Sequence, residues 1–116
     1  MPLKDHSCGE LTSRDIGKKV TLAGWVHQRR DHGSLVFIDL RDRQGIVQVV
    51  LNPELMSGYD EIANKIRLEY VLMVEGIVNR RPAGTENTQL STGDLEVIVS
   101  RAYILNESKT PPFSIN

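Results

Sequence analysis

The sequence offers few groups suited to making or breaking bonds and several suited to reading a flat, hydrogen-bonding ligand. Val36, Ile38 and Leu40 alternate with Phe37, Asp39 and Arg41, which puts the Phe37 ring on the polar face of a strand. An outward ring among charges can stack on an unpaired base, a contact worth about 1–3 kcal/mol. The alternative is that a neighbouring loop or helix covers it. Gln48 alternates against Val47 and Val49. Its amide presents donor and acceptor together, the complement of a uracil edge, where N3–H lies beside carbonyls. Glu96 alternates against Leu95 and Val97; a carboxylate can accept from the exocyclic amine of cytosine. Taken singly, Gln48 and Glu96 read better as solvated strand residues. They gain meaning together with Phe37, because alternation can set all three on one surface.

Arginines fall in three short clusters, Arg29 with Arg30, Arg41 with Arg43, and Arg80 with Arg81. They could neutralise phosphates, contacts that position a nucleic acid without reading its sequence. The competing reading is a solvated charge run paired with Asp31, Asp39 and Asp42. His6, His27 and His32 show neither metal-ligand spacing nor a partnered nucleophile, although His32 sits at a turn tip where it could touch a ligand. No Gly-rich phosphate loop, paired-carboxylate signature or Ser/His/Asp grouping is visible. The expectation is a chain with no catalytic residue and no bound metal or cofactor of its own.

These residues must be held by one small domain. The chain has 116 residues, 40% hydrophobic and 25% charged, ordinary values for a globular protein. No apolar run approaches the ~18 residues of a membrane span, and Met1–Ser7 lacks an apolar signal core, so a cytoplasmic protein is expected. Cys8 is the single cysteine and reads as a small hydrophobe. The net charge is −1; a basic face on a neutral body fits a selective rather than indiscriminate binder.

Thr12 offers a hydroxyl cap and Gly17 a stop, so a single helical turn is expected between them. Period-two alternation then marks strands beginning near Val20, Val36 and Ile46. Gly24 inside the first suggests a bulge or bend, and Asp31–Ser34 a turn. Residues 55–68 read as a helix with Tyr59, Ile62 and Ile66 on its inner stripe. Strands follow over 70–78 and from Leu95 to about Leu105, joined by a long polar loop. Three strands, a helix and two strands make the order of an all-β, five-stranded OB-fold barrel with a helix between strands 3 and 4. Such barrels bind oligonucleotides on the strand 2–3 face and through the 1–2 and 4–5 loops. Residues 1–106 are expected to form this domain and 107–116, with Pro111 and Pro112, a linker.

The run Val20–Val50, beginning VTLAGWVHQRRDHGSLVFIDLRDRQGIVQVV, closely resembles the start of bacterial aspartyl-tRNA synthetases. So do Gly9–Leu11, Arg81–Asn87, Thr92–Val97 and the closing Lys109–Phe113. The resemblance implies an anticodon-binding domain in which Phe37 stacks on the central anticodon base, a uracil. It implies that Gln48 hydrogen-bonds that uracil, that Glu96 reads a cytosine in third place, and that Arg30 and Arg81 contact the anticodon region. It further implies tRNA(Asp) as partner and a dimeric parent enzyme using ATP and magnesium through a class II catalytic domain downstream. His32 and Gly84 resemble the residues of non-discriminating members, which also charge tRNA(Asn), so reading of GUU beside GUC is implied. The sequence departs from the family at Asn79, where many relatives carry Arg, and over Thr88–Ser91; contacts from those places are not carried over. Two other readings remain: a free-standing OB-fold binding single-stranded nucleic acid without sequence preference, and a protein-interaction barrel.

Overall fold

The computed structural model describes residues 6–107; the expected linker lies, from residue 108, outside the described residues. The first element is a 3-10 turn, η1 (Ser13–Asp15). The Thr12 hydroxyl accepts from Arg14 N, and the Asp15 carboxylate accepts from Thr12 N at 2.8 Å. This reciprocal cap satisfies backbone donors that so short a helix leaves open. Gly17, at φ +90°, ends it.

Five strands follow: β1 (Lys19–His32), β2 (Leu35–Asp42), β3 (Gly45–Leu51), β4 (Val71–Arg80) and β5 (Leu95–Asn106). They close into a barrel in the order β1-β2-β3-β5-β4, with β3 and β5 parallel and every other neighbour antiparallel. Closure removes the unpaired edges that would otherwise invite aggregation. The inward set is the one alternation marks: Val20, Leu22, Val26, Val36, Ile38, Leu40, Val47, Val49, Leu72, Val74, Val97 and Val99 are all 0–2% exposed. Gly24 is not a bulge. A Cβ there would lie 2.3 Å from the Arg41 carbonyl oxygen, so the glycine permits close strand approach, while the register shift falls between Val26 and Gln28.

The first hairpin is tighter than the sequence suggests. Asp31 and His32 still pair with Val36 and Leu35, leaving only Gly33 and Ser34 as the turn. Gly33 has φ +62° and Ser34 does not share it, the pattern of a two-residue turn with glycine first. At the next turn the buried Asp42 carboxylate accepts from the backbone of Cys8, Gln44 and Gly45 at 2.8, 2.8 and 3.1 Å. It thus closes the β2–β3 turn and ties the N-terminal segment to it, rather than pairing with an arginine.

The helix expected over residues 55–68 is corrected to one short turn, α1 (Tyr59–Ile62). Met56, Ala63 and Ile66 are buried as a helical stripe would be, but Gly58 adopts φ 76° and Glu69 φ 72°, which breaks continuity at both ends. Arg29 accounts for what replaces it. Its Nη1 donates to the Ala63 and Ile66 carbonyls at 2.7 and 2.9 Å, and Asp31 holds the guanidinium at 2.9 and 3.0 Å. Carbonyls that further helical turns would bond are satisfied from the strand instead. Arg29 is thereby a brace for this crossover.

Candidate nucleic-acid interface

One groove of about 790 Å³ runs over the β2–β3–β5 face, with the β1–β2 tip at one side and the β4–β5 loop at the other. Its lining includes Arg30, His32, Phe37, Asp39, Gln48, Arg81 and Glu96. Six of the seven residues singled out from sequence therefore meet at one place. The seventh, Gly84, is in the loop but not among the lining residues, whereas Pro82, Thr85, Glu86 and Asn87 are.

Strand register explains the convergence. Phe37 pairs with Arg30 on β1 and with Val50 on β3. One row further along, Asp39 pairs with Gln48, and Gln48 with Glu96. Directly paired side chains on one face stand within reach of each other. Arg30 reaches diagonally: Nη2 donates to Asp39 Oδ1 at 3.0 Å and Nη1 to Asp39 Oδ2 at 3.2 Å, a two-pronged contact, and Nη2 also donates to Gln48 Oε1 at 3.1 Å. Gln48 Nε2 donates to Glu96 Oε1 at 3.0 Å. The sequence places Gln48 and Glu96 on the outer face, and they do point away from the barrel core. Yet each is only 6% exposed, because they form the groove floor and shield one another. Polar groups so buried need partners, and no buried side-chain nitrogen or oxygen among the described residues lacks one.

The Phe37 ring is half-buried in the same groove, and His32 meets it edge-on with centroids 5.5 Å apart and planes at 83°. One wall of Phe37 is thus fixed by an imidazole while the groove leaves ring surface for a ligand, an arrangement aromatic pairs favour. No residue of α1 is in the lining of this groove; Tyr59 turns its hydroxyl to the Ser34 carbonyl at the hairpin tip.

Burial raises the Glu96 carboxyl above its ordinary value, opposed by the Gln48 hydrogen bond and by the charge of Arg81. The Asp39 hydrogen bond raises Arg30. Arg81 is 6% exposed and its pKa is lowered, first by burial, with the like charge of Arg30 acting in the same direction. Its Nε donates to the Leu95 carbonyl at 3.0 Å and its Nη1 to the Thr85 carbonyl at 3.1 Å. Arg81 therefore ties the β4–β5 loop to the start of β5 beside the groove. This bracing role was not legible from sequence, since it depends on how the loop folds back to bring the Thr85 and Leu95 carbonyls to one guanidinium. Gly84 stands at φ +89° with nothing within 4 Å of a built Cβ: a side chain there has room but would be conformationally strained.

Asp39 was missed as a site residue. In sequence it reads only as a charge near Arg30; its identity as the clamp of that guanidinium depends on the diagonal reach between β1 and β2.

A groove floored by paired polar side chains beside a part-exposed aromatic is what a five-stranded barrel uses to hold unpaired bases. Residues 20–105 match the tRNA anticodon family, an OB-fold nucleic acid binding domain. The chain belongs to that family. Among curated relatives, it is 59% identical over 114 residues to an aspartate–tRNA(Asp/Asn) ligase of Dehalococcoides mccartyi, covering 98% of this chain and 19% of the relative. An aspartate–tRNA ligase of Staphylococcus epidermidis is 53% identical, covering 94% and 18%. The chain thus spans about a fifth of the length of such relatives. Among solved structures, the asparaginyl-tRNA synthetase of Pyrococcus horikoshii complexed with asparaginyl-adenylate superposes with a TM-score of 0.74 at 33% identity, covering 96% of this chain and 24% of that one. An OBody bound to hen egg-white lysozyme superposes at 0.78 with 26% identity, covering 93% and 100%.

Proposed function

We propose that this OB-fold domain reads the anticodon loop of tRNA(Asp), as the N-terminal part of an aspartate–tRNA ligase. The observation that carries the reading is the continuous row Asp39–Gln48–Glu96 beside the Phe37 ring on one groove face, in a chain so similar to aspartate–tRNA ligases. Phe37 stacks on the central uracil, Gln48 hydrogen-bonds it, and Glu96 accepts from the amine of the third-place cytosine. Arg30 and Arg81, both in the groove lining, contact the anticodon region. Aminoacylation, the ATP and magnesium it uses, and a homodimeric assembly are assigned to the longer protein, with residues from 107 onward as the connection. A cytoplasmic location goes with that role.

His32 and Gly84 extend the proposal to tRNA(Asn), whose anticodon GUU differs in third place. The names of several relatives include both tRNAs. His32 is exposed, lines the groove and meets Phe37 edge-on.

The test is fluorescence anisotropy of this chain with anticodon stem-loops bearing GUC, GUU and a scrambled triplet, at several salt concentrations. GUC is expected to exceed the scrambled triplet by about 1–3 kcal/mol for each base read, with GUU between the two. Replacing His32→Leu together with Gly84→Lys is expected to widen the gap between GUC and GUU. Equal affinity for all three stem-loops with a steep salt dependence would instead identify a purely electrostatic binder.

A further inference from the structure

We propose that Asp39 is a positioning residue for base recognition: by clamping the Arg30 guanidinium it fixes which way the Gln48 amide faces the groove. The inference rests on the anticodon reading above. Both Asp39 oxygens are taken by Arg30, at 3.0 and 3.2 Å. The same guanidinium donates onward to Gln48 Oε1 at 3.1 Å, and Gln48 Nε2 donates to Glu96 Oε1 at 3.0 Å.

The direction of this chain of bonds follows from the groups in it. A guanidinium can only donate and an ionised carboxylate can only accept. An amide held between them must turn its oxygen to Arg30 and its nitrogen to Glu96. Turned the other way, an NH2 would face a guanidinium and a carbonyl would face a carboxylate. What remains for a ligand is one lone pair on Oε1 and one N–H on Nε2, in a fixed order. A uracil edge, with N3–H beside a carbonyl, meets that order in register. A cytosine edge, with a bare N3 beside an amine, presents the reverse and would require the amide to turn over. Choice between the two pyrimidines at the central position is therefore a matter of how hard Gln48 is to turn. Asp39 raises that resistance while standing one side chain away from the base.

Asp39 also offsets the charge of Arg30 within the groove. Its loss would leave a freer cation near the RNA phosphates, which raises sequence-independent attraction. The two effects have opposite signs, and this separates positioning from a merely structural role.

The experiment compares this chain with Asp39→Asn and Arg30→Lys against stem-loops carrying GUC and GCC. Asparagine keeps the size but offers one acceptor oxygen, and lysine lacks the fork that holds two oxygens at once. In Asp39→Asn the GUC-to-GCC affinity ratio is expected to fall about tenfold, with GCC binding unchanged or stronger. Arg30→Lys should lower the same ratio. An RNA-free readout runs alongside: the two Gln48 side-chain amide proton signals, displaced by their partners in the parent chain, should move toward the positions of a solvated glutamine in both variants. An unchanged ratio in both variants, or equal loss of both stem-loops together with a lower unfolding midpoint, would overturn the proposal. If the parent chain itself fails to prefer GUC over GCC, the anticodon reading falls. The Gln48 signals then still decide the clamp, and their persistence unchanged in Asp39→Asn would refute it.

Discussion

Replacing Phe37→Ala is expected to weaken binding of a GUC stem-loop by about 1–3 kcal/mol, roughly 5- to 150-fold, while leaving the fold in place. The ring lies on the groove face, and the core on the other side of β2 is supplied by Val36, Ile38 and Leu40, none of which the substitution touches. Alanine removes the stacking surface and also leaves His32 without the ring it meets edge-on. Phe37→Leu separates stacking from simple apolar filling, since leucine restores bulk without a π-face. Anisotropy titration should place Phe37→Leu near the alanine variant and Phe37→Tyr near the parent. Leucine binding as tightly as phenylalanine would mean that the groove needs only an apolar floor at this position.

The second large effect is expected at Glu96, and it has two parts. An ionised Glu96 accepts from the N4 amine of cytosine and repels the O4 carbonyl of uracil. Glu96→Gln offers both an acceptor and a donor, so the GUC-to-GUU ratio should move toward unity, losing whatever part of the ~1–3 kcal/mol per base this position supplies. In the parent chain the same ratio should fall as pH is lowered, because a protonated carboxyl can donate to uracil. The stability effect runs the other way. Burial raises the folded-state pKa of Glu96 above its ordinary value of 4.5. A group raised on folding contributes stability that is fully present below the unfolded value and is lost as pH rises through the folded one. The parent chain should therefore give up some stability on account of Glu96 as pH rises above about 4.5 and through its raised folded-state value. The Glu96→Gln variant, whose carbonyl can still accept from Gln48 Nε2, should not. Urea denaturation across that range checks this. A variant less stable than the parent at neutral pH would show that the ionised carboxylate helps hold the groove together.

The barrel was legible because its strands are amphipathic on a two-residue period. Val36, Ile38 and Leu40 belong to the core, and alternation alone then turns Phe37 and Asp39 outward. The same logic places Gln48 and Glu96 beside Phe37, but it cannot see the row they form. That row depends on the parallel pairing of β3 with β5, a contact between residues 48 positions apart. Burial of those two polar residues was hidden for the same reason: alternation distinguishes the core face from the other face, and cannot tell an open surface from the floor of a groove. The stretch before β4 misled in the opposite direction. Met56, Ala63 and Ile66 have helical spacing and are buried, yet the backbone there is mostly turns. The bonds that replace a helix come from Arg29, 34 and 37 positions away in sequence. Arg29, Arg30 and Arg81 look alike as charges. The fold divides them into a brace for the crossover, a donor in the groove and an anchor of the β4–β5 loop, because each has different carbonyls and carboxylates within reach.

The most direct test of the central claim is to locate the RNA. A GUC stem-loop titrated into the isotopically labelled chain, followed by two-dimensional amide NMR, should shift the backbone signals of Phe37, Gln48 and Glu96 and the side-chain amide of Gln48. The face around Gln28, Arg67 and Leu68, which lines a separate hollow beside the crossover, should stay unchanged. Shifts centred on that second face, with the groove signals unmoved, would contradict the account.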